Sequence, residues 1–109
     1  MQQWKEIEDH PGYYISNEGK IKSIKGNGHP NSNGERILRS QKINSGYLQV
    51  ILSSPLKIKK VFVHRLVAKH FIENPFNYPT VDHLDRDKEN NFATNLKWAS
   101  YEENNLNRF

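Results

Sequence analysis

The sequence predicts an α+β fold: a small N-terminal antiparallel sheet, then a helix, then a closing strand–strand–helix unit. Three observations carry this. Apolar and polar residues alternate in short stretches over the first sixty residues. Apolar spacing then changes to three and four around residues 63–71. Finally, two short extended stretches flank a polar loop ahead of a capped helix start. At 109 residues and 35% hydrophobic, the chain suits one domain, or two small modules sharing a thin core. A bound metal or nucleic acid would help to hold such a core.

Taken in order, Trp4-Lys5-Glu6-Ile7 alternates as a strand, and His10-Pro11-Gly12 is a turn. Tyr13-Tyr14-Ile15-Ser16 and Lys20-Ile21-Lys22-Ser23-Ile24 flank Asn17-Glu18-Gly19, a β-hairpin with glycine at the tight position. Its alternation puts Ile15 and Ile21 inside and leaves Lys20 and Lys22 on the open face. Residues 25–35 are nearly all turn formers and read as a loop. Two more strands are expected at Tyr47–Leu52 and Ile58–Val63, completing one lysine-faced sheet. Val63, Leu66, Val67, His70 and Phe71 share one helical face, and Asn74-Pro75 ends that helix. Pro79–His83 is extended, Leu84–Thr94 is a polar loop, and Asn95–Ala99 is a second short strand. Ser100 with Glu103 forms a capping box, so a last helix begins near Tyr101. The expected division is 1–60, a β-rich module, and 61–109, the closing motif, packed as one unit.

Charge is uneven along the chain. Residues 1–19 hold one lysine against four acids, net −3; residues 20–69 hold eleven basic residues against Glu35 alone, net +10. Residues 70–109 hold four basic and seven acidic residues, again −3. The middle segment reads either as a phosphate-binding surface or as a solvated lysine-rich face. An acidic cluster beside it suggests carboxylates kept for a cation next to a surface kept for a polyanion. No apolar run approaches the ~20 residues of a membrane span. Met1–Lys5 lacks a secretory pattern, so a cytoplasmic address is expected. The chain has no cysteine, which excludes disulfide scaffolds, cysteine zinc sites and thiol chemistry.

Asp82 and His83 end one expected strand, Asn95 begins the next, and Asn104 lies in the first turn of the last helix. Packing those elements together brings Asp82 and Asn104 to one point beside His83. Phosphodiester hydrolysis needs that combination: an oxygen-bound divalent cation at the phosphate, and a neutral histidine to take a proton from water.

The run Val81-Asp82-His83-Leu84-Asp85, then Asn90-Asn91, then Thr94-Asn95-Leu96-Lys97-Trp98 resembles the motif of the HNH endonucleases, in particular their phage and intron homing-type branch. Val63–Ala68 is similar to the helix that precedes that motif, and Trp4–Gly19 to a nuclease-associated modular motif found N-terminal to it. The resemblance covers nearly the whole chain. It implies metal-dependent hydrolysis of double-stranded DNA, with His83 as general base and Asp82 and Asn104 as metal ligands. Asn95 would tie the loop between the strands and so hold His83. Histidine is common at the last position, so this is a His-Asn-Asn variant, and an amide oxygen there favours Mg²⁺ or Mn²⁺. Lys20, Lys22, Lys57, Lys59, Lys60 and Arg65 are the expected DNA contacts, the lysines pointing outward together. One site cuts one strand, so a monomer nicks and a homodimer cuts both.

Other readings stand beside this one. His64 and His70 are six apart, unlike zinc pairs four apart, and read as packing or hydrogen-bonding residues, His64 the nearer to the site. His10 and His29 sit in loops without a role. Asp85, Asp87 and Glu89 are similar to a calcium loop, but Asn90 stands where glycine is required, so a solvated loop is expected. The alternative function is a DNA-binding module without catalysis, motivated by a closing helix of only about nine residues.

Overall fold

The computed structural model of the chain describes residues 2–24, 35–54 and 57–106, with Ser54, Lys57 and residues 104–106 by backbone alone. Strands β1 (Trp4–Glu6), β2 (Tyr13–Ser16), β3 (Ile21–Ser23) and β4 (Arg36–Leu38) form an antiparallel meander. The hairpin at Asn17–Gly19 forms as expected. Ile15 pairs with Ile21, both with no exposed surface. Gly19 adopts φ +82°, a left-handed conformation that glycine enters without a Cβ penalty. On the opposite face Lys22 stands across from Tyr14. Its ammonium lies 4.6 Å from the Trp4 ring centroid and 3.7 Å from Glu35 Oε1, so it is folded onto the sheet.

A second antiparallel sheet holds β5 (Gln41–Lys42), β6 (Leu48–Ser54) and β7 (Lys57–Phe62). Two sheets therefore stand where the alternation suggested one. Strands β4 and β5 also arise from a stretch with no predicted element. Val50 and Leu52 of β6 turn inward and pair with Val61 and Lys59; Ile51 and Ser53 turn outward and pair with Lys60 and Ile58. This corrects the expected lysine face. Ile58, 72% exposed, shares the outer face with Lys60, while Lys59 lies on the opposite face with Val61. The cause is parity. Ile58 and Val61 are three apart and cannot share a strand face, and Val61 takes the inner one beside Val50.

Strand β7 runs straight into helix α1 (Val63–Phe71), which buries Val63, His64, Leu66, Val67 and Ala68. Lys69 in its last turn suits the negative end of the helix dipole. The helix stops at Phe71, before Asn74-Pro75, because Asn74 builds a separate turn. Its Oδ1 accepts from Tyr78 N–H at 2.8 Å and its amide donates to Tyr78 O at 2.9 Å. His70 behaves as a hydrogen-bonding residue: Nδ1–H donates to Leu66 O (2.8 Å), and Nε2 accepts from Glu8 N–H (3.0 Å).

The chain closes with β8 (Thr80–His83) antiparallel to β9 (Leu96–Ala99), then α2 (Tyr101–Leu106) packed on both strands. Ser100 caps α2 by accepting from Glu103 N–H at 3.2 Å, as the capping box predicts; the Glu103 carboxylate pairs with Lys97 instead of closing the box. Asn95 ends a short 3₁₀ turn (Ala93–Asn95) instead of opening β9. Ile7, Ile15, Ile21, Val50, Leu52, Leu66, Val67, Val81 and Leu96 belong to one buried cluster. The two halves of the sequence thus share a single core. No helix among the described residues is long and apolar enough to cross a membrane.

Candidate active site

The β8–β9 hairpin places the predicted chemistry. Asp82 and His83 occupy the last two positions of β8, opposite Lys97 and Leu96. Neighbouring strand residues point to opposite faces. Asp82 is buried at 9% exposure, and His83 is half-buried. Helix α2 packs on β8 and carries Asn104 in its backbone; the Asn104 side chain lies outside the described residues.

His83 Nε2 and Asn91 Oδ1 are 2.7 Å apart. An amide oxygen only accepts, so Nε2 carries a proton, and in the neutral ring Nδ1 keeps its lone pair. Around His83 stand rings that the motif does not include. His64 lies 5.1 Å from it between centroids, and Tyr47 lies 4.9 Å from His64 and 5.9 Å from His83. Phe62 completes the group, 5.4 Å from His64. Burial, with lesser contributions from His83 and Arg65, pushes the His64 pKa down to about 3. His64 is therefore neutral at ordinary pH, and it adjoins the site as its place in the sequence suggested.

The loop after β8 is organised by Asn95 and Asp85. Asn95 Oδ1 accepts from Asp85 N–H at 3.1 Å. Its amide donates to Asp85 Oδ1 at 2.9 Å and to Asn90 O at 2.8 Å. Its own carbonyl accepts from Leu84 N–H at 2.7 Å, one residue past His83. Asp85 also accepts from the Asn90 amide and from Asp87 N–H, both at 2.8 Å. These bonds, that from Asn90 foremost, hold its carboxyl below the usual carboxylate range. Residues 84–89 are exposed, as expected of a solvated loop, and within it Asp85 is the knot. Glu89 pairs with Lys42 at 3.2 Å.

The expected DNA contacts are dispersed. Lys20 and Lys60 are exposed, and Lys22 is folded onto Trp4 and Tyr14. Arg65 donates to Pro79 O at 3.0 Å, just before β8, and sits 5.9 Å from the Trp98 ring. With Lys59 it lines a cleft of about 290 Å³ whose wall also carries Glu8 and Asp9. The side chain of Lys57, and His29 as a whole, lie outside the described residues. Sequence reasoning assigned no role to Asn91 or Tyr47. The Asn90-Asn91 pair, eight residues past His83, was the available signal for Asn91.

Comparison with known proteins follows the same lines. The NUMOD4 motif model matches residues 2–53. The chain is 37% identical over 110 residues to DNA endonuclease I-HmuI of Bacillus phage SP01, covering 97% of this chain and 59% of that protein. It is 37% identical over 98 residues to an uncharacterised HNH endonuclease of Acanthamoeba polyphaga mimivirus, covering 27% of that protein. A solved structure on DNA binding and cleavage by the HNH homing endonuclease I-HmuI superposes with a TM-score of 0.84 at 36% identity. That match covers 97% of this chain and 57% of the other. The chain thus spans between about a quarter and three-fifths of the length of these relatives. By sequence and by fold it is a homologue of the HNH homing endonucleases, with a NUMOD4 motif as its N-terminal half.

Proposed function

We propose that the chain hydrolyses phosphodiester bonds of double-stranded DNA, one strand per active site, in the cytoplasm of a bacterial or phage-infected cell. The observation that carries this reading is the His83–Asn91 bond. With Nε2–H engaged, the Nδ1 lone pair of a neutral imidazole can take the proton of an attacking water. Asn95 acts through the backbone, fixing the residues that follow His83. Lys20 and Lys60 offer free ammonium groups to the phosphate backbone, and Lys22, Lys57, Lys59 and Arg65 complete the basic segment.

The residues present suit a hard divalent cation. Asp82, one position before His83 on β8, would supply a buried carboxylate oxygen, and Asn104, whose side chain lies outside the described residues, would supply an amide from the helix packed on the same strand. Among the described residues no three His, Cys, Asp or Glu side chains converge, so an all-protein cage is not built from them; this suits Mg²⁺ or Mn²⁺, which bind through few protein groups. When bound, the cation would neutralise charge on the scissile phosphate and on the leaving oxygen.

The test is nicking of supercoiled plasmid by the wild type and His83→Ala, with Mg²⁺ or EDTA. The expected result is Mg²⁺-dependent nicking that falls ~10²–10⁴-fold in His83→Ala while DNA binding is kept. Equal rates for the two proteins, or full activity in EDTA, would refute the assignment. DNA binding with no nicking by the wild type would identify a binding module instead.

A further inference from the structure

We infer that the N-terminal motif is part of the catalytic apparatus: its β2–β3 turn, Asn17–Gly19, sets the orientation and tautomer of His83 through Asn91. Gly19 and Asn91 are then positioning residues. The inference rests on the reading of His83 as the base.

Asn91 lies in the irregular loop between β8 and the 3₁₀ turn, so no regular element fixes it. It is nevertheless 3% exposed, and contacts from the other half of the chain hold it. A Cβ placed on Gly19 would stand 2.9 Å from Asn91 Cβ and 3.2 Å from its carbonyl oxygen, so turn and loop meet with no room for a side chain. Two residues on, Ala93 N–H donates to Asn17 O at 2.7 Å. Asn17 is fixed in turn by Gln3, whose N–H donates to Asn17 Oδ1 (2.8 Å) and whose carbonyl accepts from Asn17 N–H (3.0 Å). On the loop's other flank, Lys88 donates to Ser45 O at 2.8 Å, in the turn between β5 and β6.

The linkage runs from Gln3, just before β1, through Asn17 and Gly19 to Asn91, and from Asn91 Oδ1 to His83 Nε2. Its chemical consequence is specific. Without the Asn91 acceptor, the proton of neutral His83 is free to move to Nδ1, which removes the lone pair that would receive the water proton. A wrong tautomer disables a histidine base even where the ring stays in place.

The experiment uses the whole chain, with imidazole ¹⁵N shifts reporting the His83 tautomer at a pH where the ring is neutral, beside the nicking rate. Asn91→Asp keeps an acceptor of the same shape, and Asn91→Leu fills the volume without one. Gly19→Asn adds a Cβ yet tolerates positive φ. Expected are an Nε2–H tautomer in the wild type and in Asn91→Asp, and a shift toward Nδ1–H in Asn91→Leu and Gly19→Asn. Nicking should fall ~10–100-fold in the last two. The double variant Gly19→Asn/Asn91→Leu should be no slower than Asn91→Leu alone, since both act on one bond. If Gly19→Asn does not fold, Gly19→Ala, which adds the Cβ alone, takes its place. Retention of the Nε2–H tautomer in Asn91→Leu or in the Gly19 variant, or losses that multiply in the double variant, would overturn the inference. Because the tautomer is read without DNA or metal, a wild type that shows the expected shifts but never nicks would refute the nuclease reading while upholding the linkage.

Discussion

His64 carries a pH dependence of stability that can be worked out from its surroundings. It is 7% exposed among Tyr47, Phe62 and His83, and its pKa is pushed down to about 3 from an ordinary value of 6.5. Between those values the unfolded chain binds a proton that the folded chain does not. Unfolding then takes up protons, so the stability due to His64 is present above pH 6.5 and is lost as pH falls. At pH 5, 1.5 units below the ordinary value, the loss is ~2 kcal/mol at ~1.4 kcal/mol per unit. Against a domain stability of ~5–15 kcal/mol, such a loss is easily measured. His64→Gln keeps a polar side chain that does not titrate, and the other titrations are common to both proteins and cancel in the difference. Urea unfolding followed by tryptophan fluorescence should show the wild type losing ~2 kcal/mol more than the variant between pH 7.5 and 5.0. Parallel curves for the two proteins would refute a buried, neutral His64.

Other outcomes follow from the same geometry. Across a metal series, Asp82→Ala should lose nicking with every cation. Asn104→His should shift preference toward Ni²⁺, Co²⁺ or Zn²⁺, and an unchanged preference would remove Asn104 from the metal site. Asn95→Asp, a one-atom change, removes both amide donors and sets a second carboxylate beside Asp85. Hydrogen exchange should quicken at the amides of Leu84 and Asp85, with cleavage falling more than DNA binding; unchanged exchange would show the loop is held without Asn95. Replacing Lys20 or Lys60 by Gln should flatten the log–log salt dependence of DNA binding by ~0.9 per lost contact. Lys22→Gln should change it less, because Trp4, Tyr14 and Glu35 already engage that ammonium; an equal loss would put Lys22 on the DNA.

Helix α1 was legible because its apolar residues repeat at three and four, a signal that needs no partner. The hairpin around Gly19 was legible for a similar reason, since turn chemistry is local. β4 and β5 were not. Arg36-Ile37-Leu38 and Gln41-Lys42 show no alternation of their own, and they become strands by pairing with β3 and β6. The lysine face failed on parity: in Lys57–Phe62 two apolar residues three apart compete for the inner side, and only the Val50–Val61 pairing chooses between them. At the site, Asp82 and His83 could be placed from the motif, and the hydrogen bonds of Asn95 within the loop have the form expected of it. Asn91 carried no periodicity, and its meaning comes from a turn more than seventy residues earlier in the chain.

The passage from β7 into α1 without an intervening loop bears on how such a chain could be recombined. A seam between residues 60 and 61 falls inside β7, and would sever a strand paired along its whole length with β6. The stretch 73–79 offers a different crossover: irregular, bounded by the Asn74–Tyr78 turn, and lying after α1 and before β8. An exchange there would carry both sheets and α1 as one heritable block and β8, β9 and α2 as the other. Compatibility between blocks from different parents would then hinge on a handful of meeting points, Gly19 against Asn91 among them.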